Sequence, residues 1–307
     1  MEKKSTAYLA ALSMSVIIGF SFLTNKISLD TASPWAILAH RFTFAFLALL
    51  ALKVLGFMKF RLTRKEVFAI LPLSLFYPLL FFSLQLLGLQ KVYSSEAGII
   101  QAMTPLLTMI LATLILKEKT KRMQKLFMLV SLSGVVYISL VKGAEVSVES
   151  LTGYLLLLLS SFSSAMNLVL IRKLVKDHSF MKLTSVAITT GFILCNLINL
   201  TLHLMEGHLE SYFSPLGTPS FLLGVLFLGV LSTLGTSLLS NFALSRLEAS
   251  RMSIFNHLGT VISIFAGVLL LREHLRYYQV IGALLIITGV IGTNYFAADK
   301  RENRQKA

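Results

Sequence analysis

The sequence predicts an all-helical integral membrane protein with ten transmembrane helices, arranged as two inverted repeats of five helices. Three observations predict this fold class: the composition, the spacing of the apolar runs and the distribution of basic residues. Of the 307 residues, 55% are hydrophobic and only 14% are charged, and the mean hydropathy is +0.78. Soluble domains are about one quarter charged, so this composition excludes a water-soluble enzyme.

Ten apolar runs of helical length follow one another along the chain, five in each half. A helix needs about 20 residues to cross the hydrocarbon core, so this chain has room for about ten crossings and no separate soluble domain. The predicted spans are 7–25, 34–57, 67–89, 95–116, 126–141, 151–171, 183–204, 221–244, 252–271 and 278–297. We predict a first repeat over residues 1–145 and a second over 146–307, which ends in a short basic tail.

The basic residues alternate between the predicted connections. With the amino terminus in the cytoplasm, 22 of the 28 lysines and arginines fall in cytoplasmic segments, 5 in outer connections and Arg41 within a span. Because short basic loops stay on the cytoplasmic side, this bias predicts a multi-pass protein of the cell membrane with both termini in the cytoplasm. The net charge of +14 therefore reflects topology among membrane lipids and does not indicate a nucleic-acid partner.

The two halves of the chain resemble each other in their polar and glycine positions. A shift of 155 residues aligns several of these in the last two spans of each half: Lys117 with Arg272, Gln124 with Gln279, and Gly134 with Gly289. Since five is odd, the second copy must lie upside down in the membrane. Inverted repeats are typical of secondary transporters, which bind substrate between the halves near the midplane. The alternative is that apolar helices resemble one another by composition alone.

Short motifs in a fixed order strengthen the comparison of the halves. They are Gly19 and Asn25, the stretch from Pro34 to Arg41-Phe42, the stretch from Leu89 to Ala97, and the pair Thr104-Pro105 to Lys117-Glu118 and Gly259 to Arg272-Glu273. On these residues the chain resembles the drug/metabolite transporter superfamily, specifically its EamA-type members with ten helices and two EamA domains. Ile18 and His257-Leu258 depart from that family's pattern, in which tryptophan and a Glu-Pro pair are common.

The resemblance implies a permease that moves small metabolites by alternating access, and export of amino acids or related compounds is the expected activity. A nucleotide-sugar or phosphate-ester exchanger of the same fold is the alternative within transport, although it would need several basic side chains for phosphate. A membrane-embedded enzyme acting on lipid-linked substrates is the alternative from another class. Such an enzyme would need carboxylates, histidine pairs or a metal cluster, and we identify no catalytic residues, cofactor or metal site in the sequence.

Polar residues in the middle of spans mark the candidate substrate site, because an unpaired polar group in hydrocarbon is costly. Under the 155-residue shift, positions on the third and fourth spans meet counterparts on the eighth and ninth. The predicted substrate-binding residues are Gln101, Asn256, His257, Tyr77, Gln85, Thr104, Thr260, Ser232, Thr236 and Arg41. In the alternative interpretation, Ser and Thr bond to their own helix, and Gln and Asn tie helices together.

Two ionisable residues within spans have open roles. His257 could bind substrate or pass a proton, since histidine titrates near neutral pH, or it could be a packed neutral side chain. Arg41 could meet an anionic group of the substrate or act as a structural clamp between helix ends. Four further histidines are too scattered along the sequence to ligate a metal together. They are predicted to lie in solvated loops: His178, His203, His208 and His274.

The 14 acidic residues all fall in loops or at span ends. Carboxylates between transmembrane helices commonly serve as counter-charges for cations and as proton carriers. Their absence from the middle of the predicted spans argues against strongly cationic substrates. It favours neutral, zwitterionic or weakly anionic metabolites such as amino acids, and it leaves proton coupling open.

Overall fold

The computed structural model describes residues 2–58, 60, 62–115, 117, 121–141, 148–174, 178–244, 249–272 and 275–305. Within these ranges the ordered elements are helices, which confirms the predicted fold class. The α-helices are α1 Glu2–Leu29, α2 Pro34–Val54, α3 Arg64–Ser74, α4 Phe81–Leu89, α5 Ser94–Gln101, α6 Thr104–Ile115, α7 Arg122–Val141, α8 Val148–Leu174, α9 Phe180–Glu206, α10 Pro219–Leu226, α11 Thr236–Leu244, α12 Ala249–Leu270 and α13 Tyr277–Gln305. Two π-helical segments, Leu75–Leu80 and Phe227–Gly235, and a 3-10 helix, Leu209–Gly217, lie between them.

Seven helices of the described part are long and apolar enough to cross a membrane. They cover Thr6–Leu29, Pro34–Val54, Arg64–Leu89, Ser94–Ile115, Val148–Ile171, Met181–Glu206 and Pro219–Ser240. Shorter apolar helices cover Val261–Leu270 and Tyr277–Thr293. The protein therefore has the architecture of a multi-pass membrane protein, while the count of ten crossings stays a prediction.

Two of the predicted spans are interrupted, and a third contains a π-helical segment. In the third, Tyr77 leaves the helical region with φ −143° and ψ 115°, and Pro78 has no N–H to donate to the carbonyl of Ser74. In the fourth, α5 ends at Gln101 and α6 begins at Thr104, because Pro105 likewise cannot donate to Gln101. The eighth span passes through the second π-helical segment. Gln101 and Thr104, both predicted site residues of the fourth span, therefore lie on two separate helices.

One end of the bundle brings the end of α1 together with the start of α8. The ammonium group of Lys26 donates to the carbonyl oxygens of Leu89 at 2.6 Å and Val92 at 2.8 Å. On the same turn, Lys91 pairs with Glu149 at 3.5 Å. Since α1 finishes where α8 begins, the two helices run in opposite directions.

The opposite end of the bundle shows the same relation for the second helix of each half. Lys182, in the first turn of α9, bonds to the Glu66 carboxylate at the start of α3 with an N–O distance of 2.6 Å. Met58, which follows α2, packs against Ile188 of α9. The end of α2 and the start of α9 therefore share this end, so the second repeat is inverted relative to the first.

Local backbone features also recur at equivalent positions. Lys117 and Arg272, which are 155 residues apart, both have φ 54°, an uncommon conformation for a residue with a side chain. The amide oxygen of Gln124 accepts from the backbone N–H of Lys121 at 2.7 Å, and that of Gln279 accepts from Arg276 at 2.7 Å. Similar composition alone would not repeat both a rare backbone angle and a hydrogen bond, so the halves are structural copies.

Helices α7 and α13 close the two halves and pack against each other. The contact is so close that a methyl group on Gly289 would collide with the backbone nitrogen of Ser131. Glycine at this position lets the two helix backbones approach, as small residues commonly do between membrane helices.

Candidate functional site

Arg41 is a cation buried between the two halves. It lies in the second turn of α2, and only 1% of its surface is exposed. Its Nε donates to the Thr233 hydroxyl at 2.9 Å, and its Nη2 donates to the Ser232 hydroxyl at 3.4 Å. The guanidinium carbon stands 3.8 Å from the ring centroid of Phe82, a geometry typical of a cation–π contact. This charge is thus held by hydroxyls of the second repeat and an aromatic ring of the first.

The π-helical segment Phe227–Gly235 places these hydroxyls. A methyl group on Gly229 would lie 2.5 Å from the carbonyl oxygen of Arg41, so only glycine lets this segment touch the α2 backbone. One turn later, Ser232 and Thr233 reach the guanidinium group. The Thr233 hydroxyl in turn donates to the carbonyl of Leu228, five residues earlier, at 2.8 Å. The widened turn thus fixes the hydroxyl that accepts from Arg41.

Tyr77 borders the same site from the interrupted third span. Its ring centroid lies 5.2 Å from that of Phe82 and 5.3 Å from that of Phe81, and Phe82 is the ring that contacts the Arg41 guanidinium group. The structure thus brings together three of the predicted residues, Arg41, Tyr77 and Ser232. Sequence reasoning missed Thr233 and Phe82. Under the 155-residue shift Thr233 aligns with Pro78, so the comparison of polar positions between the halves did not identify it.

One nitrogen of this buried cation has no partner in the part of the chain that the structure describes. The Nη1 atom of Arg41 is buried and makes no hydrogen bond there. Arginine stays charged in proteins, and an unsatisfied buried donor costs about 1–3 kcal/mol. Guanidinium groups bind carboxylates with two parallel hydrogen bonds, so the arrangement is suited to holding an anionic group.

Gln101 uses its side chain to join α5 to α8. Its Nε2 donates to Ser160 Oγ at 3.1 Å, and its Oε1 accepts from Ser161 Oγ at 3.0 Å. Thr104 also approaches the same oxygen, at 3.4 Å. These contacts match the helix-tying alternative, and substrate binding by Gln101 and Thr104 stays a prediction.

The remaining predicted residues are placed less fully. Gln85 is buried in α4, and the Thr236 hydroxyl donates to the Ser232 carbonyl of its own helix at 2.7 Å. Three predicted residues belong to α12, but their side chains lie outside the described part of the chain: Asn256, His257 and Thr260. Their proposed meeting with the fourth span therefore stays a prediction.

His203 lies in helix α9 and not in a solvated loop as predicted. Its Nδ1 contacts the carbonyl oxygen of Asn199 at 2.9 Å, and its ring packs edge-on against Tyr212 at 5.5 Å between centroids. The prediction was wrong because residue 203 lies within the helix: the predicted span 183–204 already contained it, and α9 continues to Glu206. The spacing of four residues between Asn199 and His203 was the available signal.

Glu96 is a carboxylate at the start of a span that the structure buries. It is 4% exposed, and it accepts hydrogen bonds from the Tyr154 hydroxyl at 2.6 Å and from Gln279 Nε2. The sequence placed it correctly at a span end but gave no sign of this burial.

Across the described residues, no group of three histidine, cysteine or acidic side chains is arranged to hold a metal ion.

Two inverted helical repeats with a polar site between them define the class of membrane transporters built by internal duplication. Residues 5–140 and 151–295 each match the EamA-like transporter family. The chain therefore belongs to the EamA-like transporter family.

Similar proteins span nearly the whole chain. The "Uncharacterized transporter YcxC" of Bacillus subtilis is 46% identical over 293 residues, covering 95% of this chain and 94% of that protein. An "Uncharacterized transporter" of Archaeoglobus fulgidus is 27% identical over 273 residues, covering 89% and 92%. A solved crystal structure with 18% identity superposes with a TM-score of 0.65, covering 96% of this chain and 99% of that one, which shows a shared fold.

Proposed function

We propose that this transporter lies in the cell membrane with both termini in the cytoplasm and exports small metabolites that carry a carboxylate, amino acids foremost. Transport occurs by alternating access between the repeats at 1–145 and 146–307. The observation that carries this proposal is the buried Arg41 guanidinium group, which lies between the halves with one nitrogen unpartnered among the described residues.

The cost of burying this charge supports an anionic ligand. Burying an arginine in a membrane helix is unfavourable, by up to about 2.5–3.5 kcal/mol at the helix centre on insertion scales. The hydrogen-bond partners described for Arg41 are neutral hydroxyls. A substrate carboxylate would supply the opposite charge and the missing acceptor, and it would bind at a position that touches both repeats.

Further residues complete the proposal. Tyr77 and Ser232 would border the bound substrate together with Gln85 and Thr236. Helix α12 would contribute Asn256, His257 and Thr260 from the opposite side, facing Gln101 and Thr104. If transport is coupled to protons, His257 is the proposed carrier. The chemistry we propose is transport alone, without an enzymatic step.

The test begins by finding the substrate and then changes Arg41. Metabolites are compared in the medium of cells that overexpress the protein and of cells that lack it, and the exported compound is then assayed in proteoliposomes. We expect Arg41→Gln to lower flux at least tenfold, because a lost charge pair costs about 2–5 kcal/mol. Arg41→Lys keeps the charge and should retain part of the flux.

Arg64→Gln is the matched control, since Arg64 is exposed at the start of α3. It should transport as the wild type does. Size-exclusion profiles and helical circular dichroism show whether each variant is folded. Wild-type flux in folded Arg41→Gln, or export restricted to compounds without an anionic group, would contradict the proposal.

A further inference from the structure

A polar cavity lies at the end of the bundle where α1 meets α2 and α9 meets the 3-10 helix. We call it the end cavity; its volume is about 430 Å³, within the usual range for small-molecule sites. The residues that line it are Thr31, Ala32, Ser33, Trp35, Ala36, Asn199, Leu202, His203, Glu206, Ser211, Ser214 and Pro215. Arg41, Tyr77 and Ser232 are not among them, so this cavity is separate from the Arg41 site.

Asn199 is the first sign that the end cavity binds a ligand. Its side chain is fully buried, its Oδ1 has no hydrogen-bond partner in the described part of the chain, and the one group near its Nδ2 is the Tyr212 hydroxyl. Buried side-chain amides in native proteins are nearly always hydrogen-bonded, and leaving one unpaired is costly. A ligand in the cavity would supply the missing partner.

The second sign is that the polar groups around Asn199 can accept hydrogen bonds. The Nδ1 of His203 lies 2.9 Å from the Asn199 carbonyl oxygen, which can only accept, so Nδ1 carries the hydrogen. In the neutral ring, Nε2 is then an acceptor. Glu206 adds a carboxylate, and among the described lining residues there is no lysine or arginine. The cavity is therefore acidic and rich in acceptors in a chain whose net charge is +14.

The third sign is Trp35, whose indole is the aromatic group best suited to attract a cation. A carboxylate, two neutral acceptors and an indole around a small cavity match the hydrogen-bond donors and positive charge of an organic ammonium group. A carboxylate ligand would instead meet Glu206 with like charge.

We propose that the end cavity binds a small organic ammonium group. Glu206 pairs with its charge, Trp35 contacts it as a cation–π partner, and Asn199 and His203 accept its hydrogen bonds. Asn199 follows Cys195 by one helical turn, about 6 Å along α9, and Cys195 belongs to the same buried apolar cluster as Phe82, whose ring contacts Arg41. The cavity thus lies one turn nearer the end of the bundle than the Arg41 site, and its proposed ligand does not depend on what Arg41 binds.

Tryptophan fluorescence tests the proposal directly, because Trp35 is the single tryptophan of the chain. Purified protein in detergent is titrated with propylammonium chloride, and with sodium propionate and propanol at matched ionic strength. We expect a saturable change in Trp35 emission with propylammonium alone. Glu206→Gln should raise the apparent dissociation constant at least tenfold, and Asn199→Ala should raise it as well.

Glu210→Gln is the matched control, because Glu210 is an exposed carboxylate of the adjacent 3-10 helix that does not line the cavity. It should bind propylammonium as the wild type does, and so should Arg41→Gln even if it has lost flux. The proposal is overturned if the wild type gives no saturable signal, if propionate gives the same signal, or if Glu206→Gln binds unchanged. Since Glu206 is exposed, its substitution leaves the fold intact.

Discussion

At the scale of single residues, the contacts of Arg41 define how the two halves meet. The guanidinium group belongs to the first repeat, and both of its hydroxyl acceptors belong to the second. Because arginine stays protonated in proteins, the loss of either hydroxyl acceptor leaves a buried N–H donor of Arg41 unsatisfied. Stability and substrate binding should therefore respond together to changes around this side chain.

Thr233→Val tests this coupling, since valine has nearly the same shape and no hydroxyl. The variant removes the acceptor 2.9 Å from Arg41 Nε, and we expect it to destabilise the protein by about 1–3 kcal/mol and to lower flux. Thermal unfolding in detergent and proteoliposome transport measure the two effects. Thr201→Val is the control, because Thr201 is exposed on α9 and, among the described residues, bonds to the Leu197 carbonyl of its own helix. If the two variants have equal stability and equal flux, the Thr233 hydroxyl does not contribute to the interface as we expect.

At the scale of elements, the interrupted helices bring backbone and side chains to the site. Tyr77 lies at a break in the third span, and Ser232 and Thr233 lie in the π-helical part of the eighth. Irregular backbone at membrane depth is tolerated where it is buried in protein or lines a cavity. The breaks therefore mark the region between the halves, and we expect them to bend during transport.

Pro105→Ala tests the break between α5 and α6. Alanine restores an N–H that can donate to the Gln101 carbonyl, so α5 and α6 can join into one helix. We expect equal or higher thermal stability together with lower flux, because the joined helix bends less readily. Pro34→Ala is the control, since Pro34 occupies the first turn of α2, where the N–H has no helical partner in any case. Wild-type flux in a stabilised Pro105→Ala would show that the break is not needed.

At the scale of the whole molecule, the fold was predictable because it depends on averages over many residues. Long apolar runs and a loop charge bias are insensitive to errors at any one position. The site was predictable only in part. Arg41, Tyr77 and Ser232 stand out as polar residues within spans, whereas Phe82 looks like any lipid-facing ring.

The end cavity was not predictable, for a different reason. Its lining comes from the turn after α1, the start of α2, the end of α9 and the 3-10 helix, which are far apart in the sequence. No local pattern connects Trp35 with His203. Only the packing of these elements brings an indole, an imidazole and a carboxylate to the same volume.

Membrane orientation is the prediction that belongs to this scale. Residue 195 is the only cysteine and is fully buried, so we expect the natural chain not to react with a thiol reagent. We expect a membrane-impermeant thiol reagent to label Glu210→Cys on intact cells and to label Lys121→Cys only after the cells are opened. A reporter fused after Ala307 should be cytoplasmic. The reverse labelling pattern would overturn the proposed orientation.

Inversion of the repeats also bears on the energetics of the resting states. If each half adopted the shape of the other, the molecule would open to the opposite face with nearly the same internal contacts. Identical halves would then populate both states equally. Pro78 and Pro105 of the first half align with Thr233 and Thr260 of the second, so the halves differ in stiffness. We expect such mismatches between duplicated positions, rather than any one contact, to set which side of the membrane the empty carrier faces.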